Sequence, residues 1–161
     1  MPILNVQLAL EVRRPDGTRV AVPPQPALLQ RGPVVQVTLS VGRAIAEPLL
    51  QQGVTLPATV SGLALIDTGA TSTCIDEDAA QQLQLPAIDV VTVASASHDS
   101  TQQTVHPVQI EVVGWPITFD APRAIAAPLR SQGILVLIGR DVLQHTILVY
   151  NGPTGSFSLS I

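Results

Sequence analysis

Asp67, Thr68 and Gly69 follow the apolar run Ala64-Leu65-Ile66 and precede Ala70 and Thr71. That order delivers one carboxylate into a tight turn, followed by a hydroxyl and a glycine. Two such carboxylates brought face to face cannot both ionise cheaply, so they share one proton. The ionised one can take a proton from a water while the other donates to a carbonyl oxygen, which is the chemistry of peptide hydrolysis. The chain has no second Asp-Thr-Gly, so the other aspartate must come from a second copy. A plainer reading stays open: Asp67 ends a strand in an Asx-type turn, bonding its own backbone, with Gly69 at positive φ.

A related pattern recurs in the second half of the chain without a carboxylate at its centre. Ile134-Leu135-Val136-Leu137-Ile138 meets Gly139, Arg140 and Asp141, and helical spacing begins at Val142, Leu143 and Ile147. A run apolar on both faces is a buried strand, and a glycine there lets another backbone pass close by. An ordinary buried strand with a helix behind it reads the same way.

With the motifs Leu65-Ile66-Asp67-Thr68-Gly69-Ala70 and Leu137-Ile138-Gly139-Arg140-Asp141-Val142-Leu143, the chain from about Gly32 to Ile161 resembles the retropepsin-like aspartic proteases. That is the family of the retroviral proteases and their bacterial relatives. The resemblance implies a mostly β fold, a closed barrel-like protomer with one or two short helices, working as a homodimer. It makes Asp67 the catalytic residue on the two-fold axis, bonds Thr68 across the dyad, and lets substrate backbone approach Gly69. Ala70, Thr71, Gly139 and Arg140 become supporting residues. It also implies a hairpin flap, placed on Ser95, Ala96, Ser97, His98, Asp99 and Ser100, where a plain solvated hairpin tip is the other reading. The implied activity is an aspartic endopeptidase that needs no cofactor and takes extended polypeptides. The competing class is a silent barrel that dimerises and binds peptides without cutting them. A third is a monomeric β protein whose Asp67 only shapes a turn.

Three positions depart from the retroviral pattern. Ala70 offers the carboxylate no hydroxyl. Thr71 stands where those enzymes often carry an aspartate that pairs with the arginine of the second motif, so Arg140 needs another partner. The flap tip has no glycine.

Composition narrows the partners. A chain of 161 residues makes one domain able to bury roughly two-thirds of its unfolded surface. Aromatics are 2% of it, so Val, Leu, Ile and Ala must build the core. Charged residues are 12%, about half the usual share, which favours an oligomer. The net charge of −4 and the absence of lysine leave no basic stripe for nucleic acid. His98, His106 and His145 lack metal-ligand spacing, and His98-Asp99 has no serine on a nucleophile elbow. No metal is expected. Cys74, the only cysteine, reads as a small buried hydrophobe. Residues Met1 to Asn5 lack the pattern of a secretory signal, and no apolar run reaches membrane-spanning length. A cytoplasmic chain with no membrane partner is the expectation.

The pattern along the chain divides it into an N-terminal hairpin and Pro-rich connector (1–31) and a protease-like domain (32–161). Asn5 to Val12 and Arg19 to Val22 alternate about the turn Arg14-Pro15-Asp16-Gly17-Thr18, a hairpin signal. Pro23, Pro24 and Pro26 read as an extended connector, and the enzyme could remove residues 1–31 itself. Strands are expected at Val34 to Val41, Val60 to Ile66, Val90 to Ala94, Thr104 to Val113, Ile117 to Ala126, Ile147 to Tyr150 and Ser156 to Ile161. Helices are expected at Ala44 to Gln52 and from an Asp76 N-cap to about Leu85, with Glu77 and Asp78 favoured by the dipole. The last strand is the candidate for a dimer sheet.

Overall fold

The computed structural model describes residues 2–95 and 98–161, without the side chains of 94–99. Three short strands lead in: β1 (Ile3–Gln7), β2 (Leu10–Arg13) and β3 (Arg19–Val22). The expected hairpin forms between β2 and β3, but β1 leaves it and pairs with the chain's last strand. Apolar alternation runs unbroken from Val6 through Leu10, so the pattern carries no sign of this change of partner. Leu8 marks it, buried and donating its N–H to Gly155 O at 3.3 Å.

The expected connector is instead a helix, α1 (Pro24–Arg31). Its prolines lie in the first turn, where the amide that proline lacks has no helical partner anyway. Gly32 closes it at φ 70°, donating to Leu28 O at 2.9 Å. Ala27 and Leu28 are fully buried in the core. The chain therefore has one short helix more in this region than its proline content suggested.

The barrel follows. β4 (Val34–Val41), α2 (Arg43–Gln51) and β5 (Val60–Ile66) lead into the Asp67 turn, and β6 (Cys74–Asp76) and α3 (Glu77–Gln82) leave it. β7 (Asp89–Ser95) and β8 (His98–Val112) form a long antiparallel arm, and β9 (Thr118–Ala127) returns beside β8. Next come β10 (Val136–Ile138) and α4 (Arg140–Leu143), then β11 (Ile147–Asn151) and β12 (Ser156–Ser160). Ile147 belongs to β11 rather than continuing α4. The order β4-β5-β10-β6-β9-β8 closes because β8 also pairs with β4, giving a six-stranded barrel. The architecture is mostly β with four short α-helices among the described residues.

The core is aliphatic, as the scarcity of aromatics requires. Val37, Leu39, Ile75, Ile110 and Val136 are 0% exposed, and burying each large side chain contributes roughly 1.5–3 kcal/mol. Alternation sets the inward face of β4, where Val35, Val37, Leu39 and Val41 are buried. Beside the barrel, β1, β12 and β11 form a three-stranded antiparallel sheet. No helix of the described residues is long and apolar enough to cross a membrane.

The arm of β7 and β8 is longer than expected. Val91 pairs with Gln103 and Val93 with Thr101, so the polar stretch read as a flap loop is largely strand. Val91, Val93 and Gln103 are half-buried while Thr92, Thr101 and Gln102 are exposed, and threonine suits an extended backbone. Ser100 lies on β8, exposed. Ala96 and Ser97 of the expected flap lie outside the described residues, as do the side chains of Ser95, His98 and Asp99.

Candidate active site

Register brings the two motifs together. β5 and β10 run parallel with Ile66 opposite Ile138, so Asp67 and Gly139 leave the barrel side by side. Asp67 N–H then bonds Ile138 O at 3.0 Å. The three-residue β10 is wedged between β5 and antiparallel β6, and the turn joining β5 to β6 crosses its end. That crossing needs the glycine: a Cβ on Gly139 would lie 2.5 Å from the carbonyl carbon of Ser72. The close backbone approach expected of Gly139 is present.

Asp67 is half-buried at the barrel mouth, and its Oδ1 accepts the Gly69 N–H at 2.7 Å. This is the Asx-type bond of the plainer reading, but Gly69 is not among the glycines at positive φ. Thr68 and Gly69 are exposed, and Ala70 is half-buried. Among the described residues the Thr68 hydroxyl has no partner.

Arg140 finds its partners on the turn itself. Its Nη1 donates to Thr68 O at 2.8 Å and Gly69 O at 3.1 Å, and its Nη2 donates to Thr71 Oγ1 at 2.9 Å. The threonine thus takes one branch of the planar guanidinium fork, and two backbone carbonyls take the other. Backbone bonds from Arg140 N to Ala70 O (3.0 Å) and from Asp141 N to Thr71 O (3.2 Å) run alongside.

Two further residues hold the turn that the motifs did not single out. Thr73 is 0% exposed. Its hydroxyl donates to Asp141 Oδ1 at 2.8 Å and accepts the Gly139 N–H at 3.1 Å, while its own N–H donates to Asp141 Oδ2 at 2.9 Å. Asp141 Oδ1 also accepts the Val142 N–H at 2.9 Å. Asp141 is therefore a clamp on the turn rather than a partner of Arg140. The signal available was an acid inside the second motif, in the first turn of α4.

Cys74 is half-buried rather than buried, with Sγ 3.7 Å from Ser72 O. Burial, and then the carboxylates of Asp141 and Asp67, push its thiol up to about 11, so it is protonated and no nucleophile. Asp76 stands at the start of α3 but makes no side-chain cap. It is buried instead, accepting Arg130 N–H at 2.9 Å, with the Arg130 guanidinium 3.5 Å from Oδ1. Glu77 and Asp78 occupy the first turn as expected. His106 is buried, donating from Nδ1 to Leu85 O and Pro86 O, with Nε2 2.9 Å from the Thr104 hydroxyl, a structural role.

The model of the family described as "Aspartyl protease" matches residues 56–142, more than half of the chain, and takes in the first motif, the second as far as Val142, and every bond of the clamp. The chain belongs to the aspartyl protease family. Among solved structures, this aspartyl protease chain is similar to a retropepsin-like aspartic protease from Rickettsia conorii. They are 11% identical with a TM-score of 0.44, over 98% of this chain and 92% of that one. It is also similar to a foamy viral protease-reverse transcriptase solved with an RNA/DNA hybrid. There the identity is 17% and the TM-score 0.44, over 70% of this chain but 12% of that one. No curated protein matches the aspartyl protease chain.

Proposed function

We propose that the protein is an aspartic endopeptidase assembled from two copies, with Asp67 of each as its catalytic pair. The observation that carries the reading is a half-exposed carboxylate on a braced turn, with no second acid seen free beside it among the described residues. Asp141, the other acid near Cys74, has both oxygens engaged by Thr73. A second Asp67 completes the pair. The Thr68 hydroxyl, without a partner among the described residues, is available to bond across the axis.

In this pair the two carboxylates hold one proton between them. The ionised Asp67 takes a proton from a bound water, and the resulting hydroxide attacks the scissile carbonyl. The protonated Asp67 donates to the carbonyl oxygen, and a further proton transfer releases the amine. Gly69, with no side chain, leaves room for substrate backbone beside the pair. The extended peptide lies under the arm of β7 and β8, which serves as the flap, adding main-chain bonds as an extra strand does. Activity requires the single shared proton, so its optimum lies on the acid side of neutrality.

The test is cleavage of a mixed peptide library between acid and neutral pH, with Asp67→Asn as control and a statine-type inhibitor as probe. Cleavage that is lost in the variant and blocked by the inhibitor is expected. A wild-type chain that binds the inhibitor yet cuts nothing would instead make it a peptide-binding barrel.

A further inference from the structure

We infer that two copies of this chain join edge to edge through β11, antiparallel, about a two-fold axis that crosses the strands at Val149. The inference rests on the homodimer reading above and names its seam.

The last strand, expected to build the dimer sheet, has no edge to offer. β12 is registered against β1 on one side, Ile3 to Gln7 facing Ser160 to Ser156, and against β11 on the other. Among the described residues the open edges of this sheet are β1 and β11. The catalytic reading chooses between them, because carboxylates that share a proton must approach to about 3 Å. The axis therefore passes beside the Asp67 turn. β11 starts just after α4, whose Arg140 grips the carbonyls of Thr68 and Gly69. β1 lies two strand spacings from β11 across the sheet, roughly 10 Å.

The chemistry of the edge points the same way. Proteins guard exposed strand edges with charges, prolines or bulges. The open edges outside this sheet are guarded: β7 begins with Asp89, ion-paired to Arg123, and the β2–β3 hairpin carries Glu11, Arg13 and Arg19. β1 is as uncharged as β11, and only its place two strands away from β11, which follows α4, sets it aside. β11 reads Ile-Leu-Val-Tyr-Asn, with none of these devices. Its Ile147 is 60% exposed and its Val149 54%. No residue of β1, β11 or β12 is charged, so a second copy meets no like-charge repulsion. Antiparallel pairing centred on Val149 sets Val149 against its symmetry mate, Leu148 against Tyr150, and Ile147 against Asn151. Aliphatic–aromatic cross-strand pairs of this kind are favourable. The result is a continuous six-stranded sheet running beneath both catalytic turns.

The test uses charge at the axis, where a side chain faces itself. Val149→Lys and Val149→Glu, each alone, are expected to weaken self-association in sedimentation by roughly a hundredfold, since like charges directly opposite repel. Mixed together, the two variants regain a dimer, a rescue that misfolded chains cannot produce. In a Cys74→Ser background, Val149→Cys is expected to form a covalent pair on oxidation, and Ile3→Cys is not. A wild-type dimer indifferent to both charges, variants that stay apart when mixed, or a link through Ile3→Cys would each overturn the seam and leave the dimer standing. A wild-type chain that sediments as a single copy at every concentration removes both.

Discussion

Thr73→Val tests whether the clamp on the Asp67 turn is held by hydrogen bonds or by packing. Valine has the shape of threonine, so the fully buried site acquires no cavity; only the hydroxyl is lost. Two bonds go with it. The buried Gly139 N–H, bonded to Thr73 Oγ1 at 3.1 Å, is left without an acceptor, a cost of about 1–3 kcal/mol. The 2.8 Å bond to the Asp141 carboxylate belongs to the charged class, worth about 1.5–3 kcal/mol. Asp141 keeps its bonds to two N–H groups, and the added methyl offsets up to about 0.8 kcal/mol. The net expectation is a loss of about 2–5 kcal/mol. Chemical unfolding of variant and wild type at equal protein concentration measures it, with the denaturant slope unchanged. Thr73→Ser keeps the hydroxyl and drops only the methyl, and is expected to cost about 1 kcal/mol. A loss under about 0.5 kcal/mol in Thr73→Val, or a serine variant as damaged as the valine one, refutes the argument.

Gly139→Ala places its Cβ against the Ser72 and Thr73 backbone, which cannot swing aside as a side chain can. We expect a loss of about 3 kcal/mol or more, read by the same unfolding curves, with peptide cleavage abolished. Because its thiol is pushed up to about 11 from an ordinary 9.0, Cys74 carries roughly a hundredfold less thiolate at pH 8 than in the unfolded chain. Iodoacetamide labelling followed by mass spectrometry should be slower by that factor in the folded protein and accelerate towards pH 11; equal rates would contradict the burial. Deleting residues 1–31 strips β1 from β12 and removes Leu8, Ala27 and Leu28 from the core. The truncated chain is expected to lose its cooperative unfolding transition. For the same reason, wild type and Asp67→Ala should show equal masses after incubation in acid.

Much of the barrel was legible because its strands carry their pattern locally. β4 alternates, β10 is apolar throughout and β5 is so from Leu63 on, and Asp67 and Gly139 stand directly after strands that read plainly. What stayed hidden depended on partners distant in sequence. β1 and β2 share one unbroken alternation, and only the pairing with β12 separates them. The prolines before Ala27 fit an extended segment and a first helical turn equally well, and burial of Ala27 and Leu28 decides for the helix. Asp76 looked like a helix cap from its neighbours Glu77 and Asp78. Its actual partner, Arg130, is 54 positions away. The same holds within the site: Thr73 and Asp141, separated by 68 positions, look unremarkable until β10 sets them face to face.

The wedge formed by β10 has a consequence for biosynthesis. Three residues from late in translation fill the slot between two strands made far earlier, and the arginine that grips the acidic turn emerges 72 positions after the threonine it holds. Contacts so remote close slowly, because a long loop must be ordered before they form. A nascent chain still short of Arg140 carries its aspartate on an unbraced loop. On the proposed function, hydrolytic competence is thereby withheld until the chain has been made past Arg140.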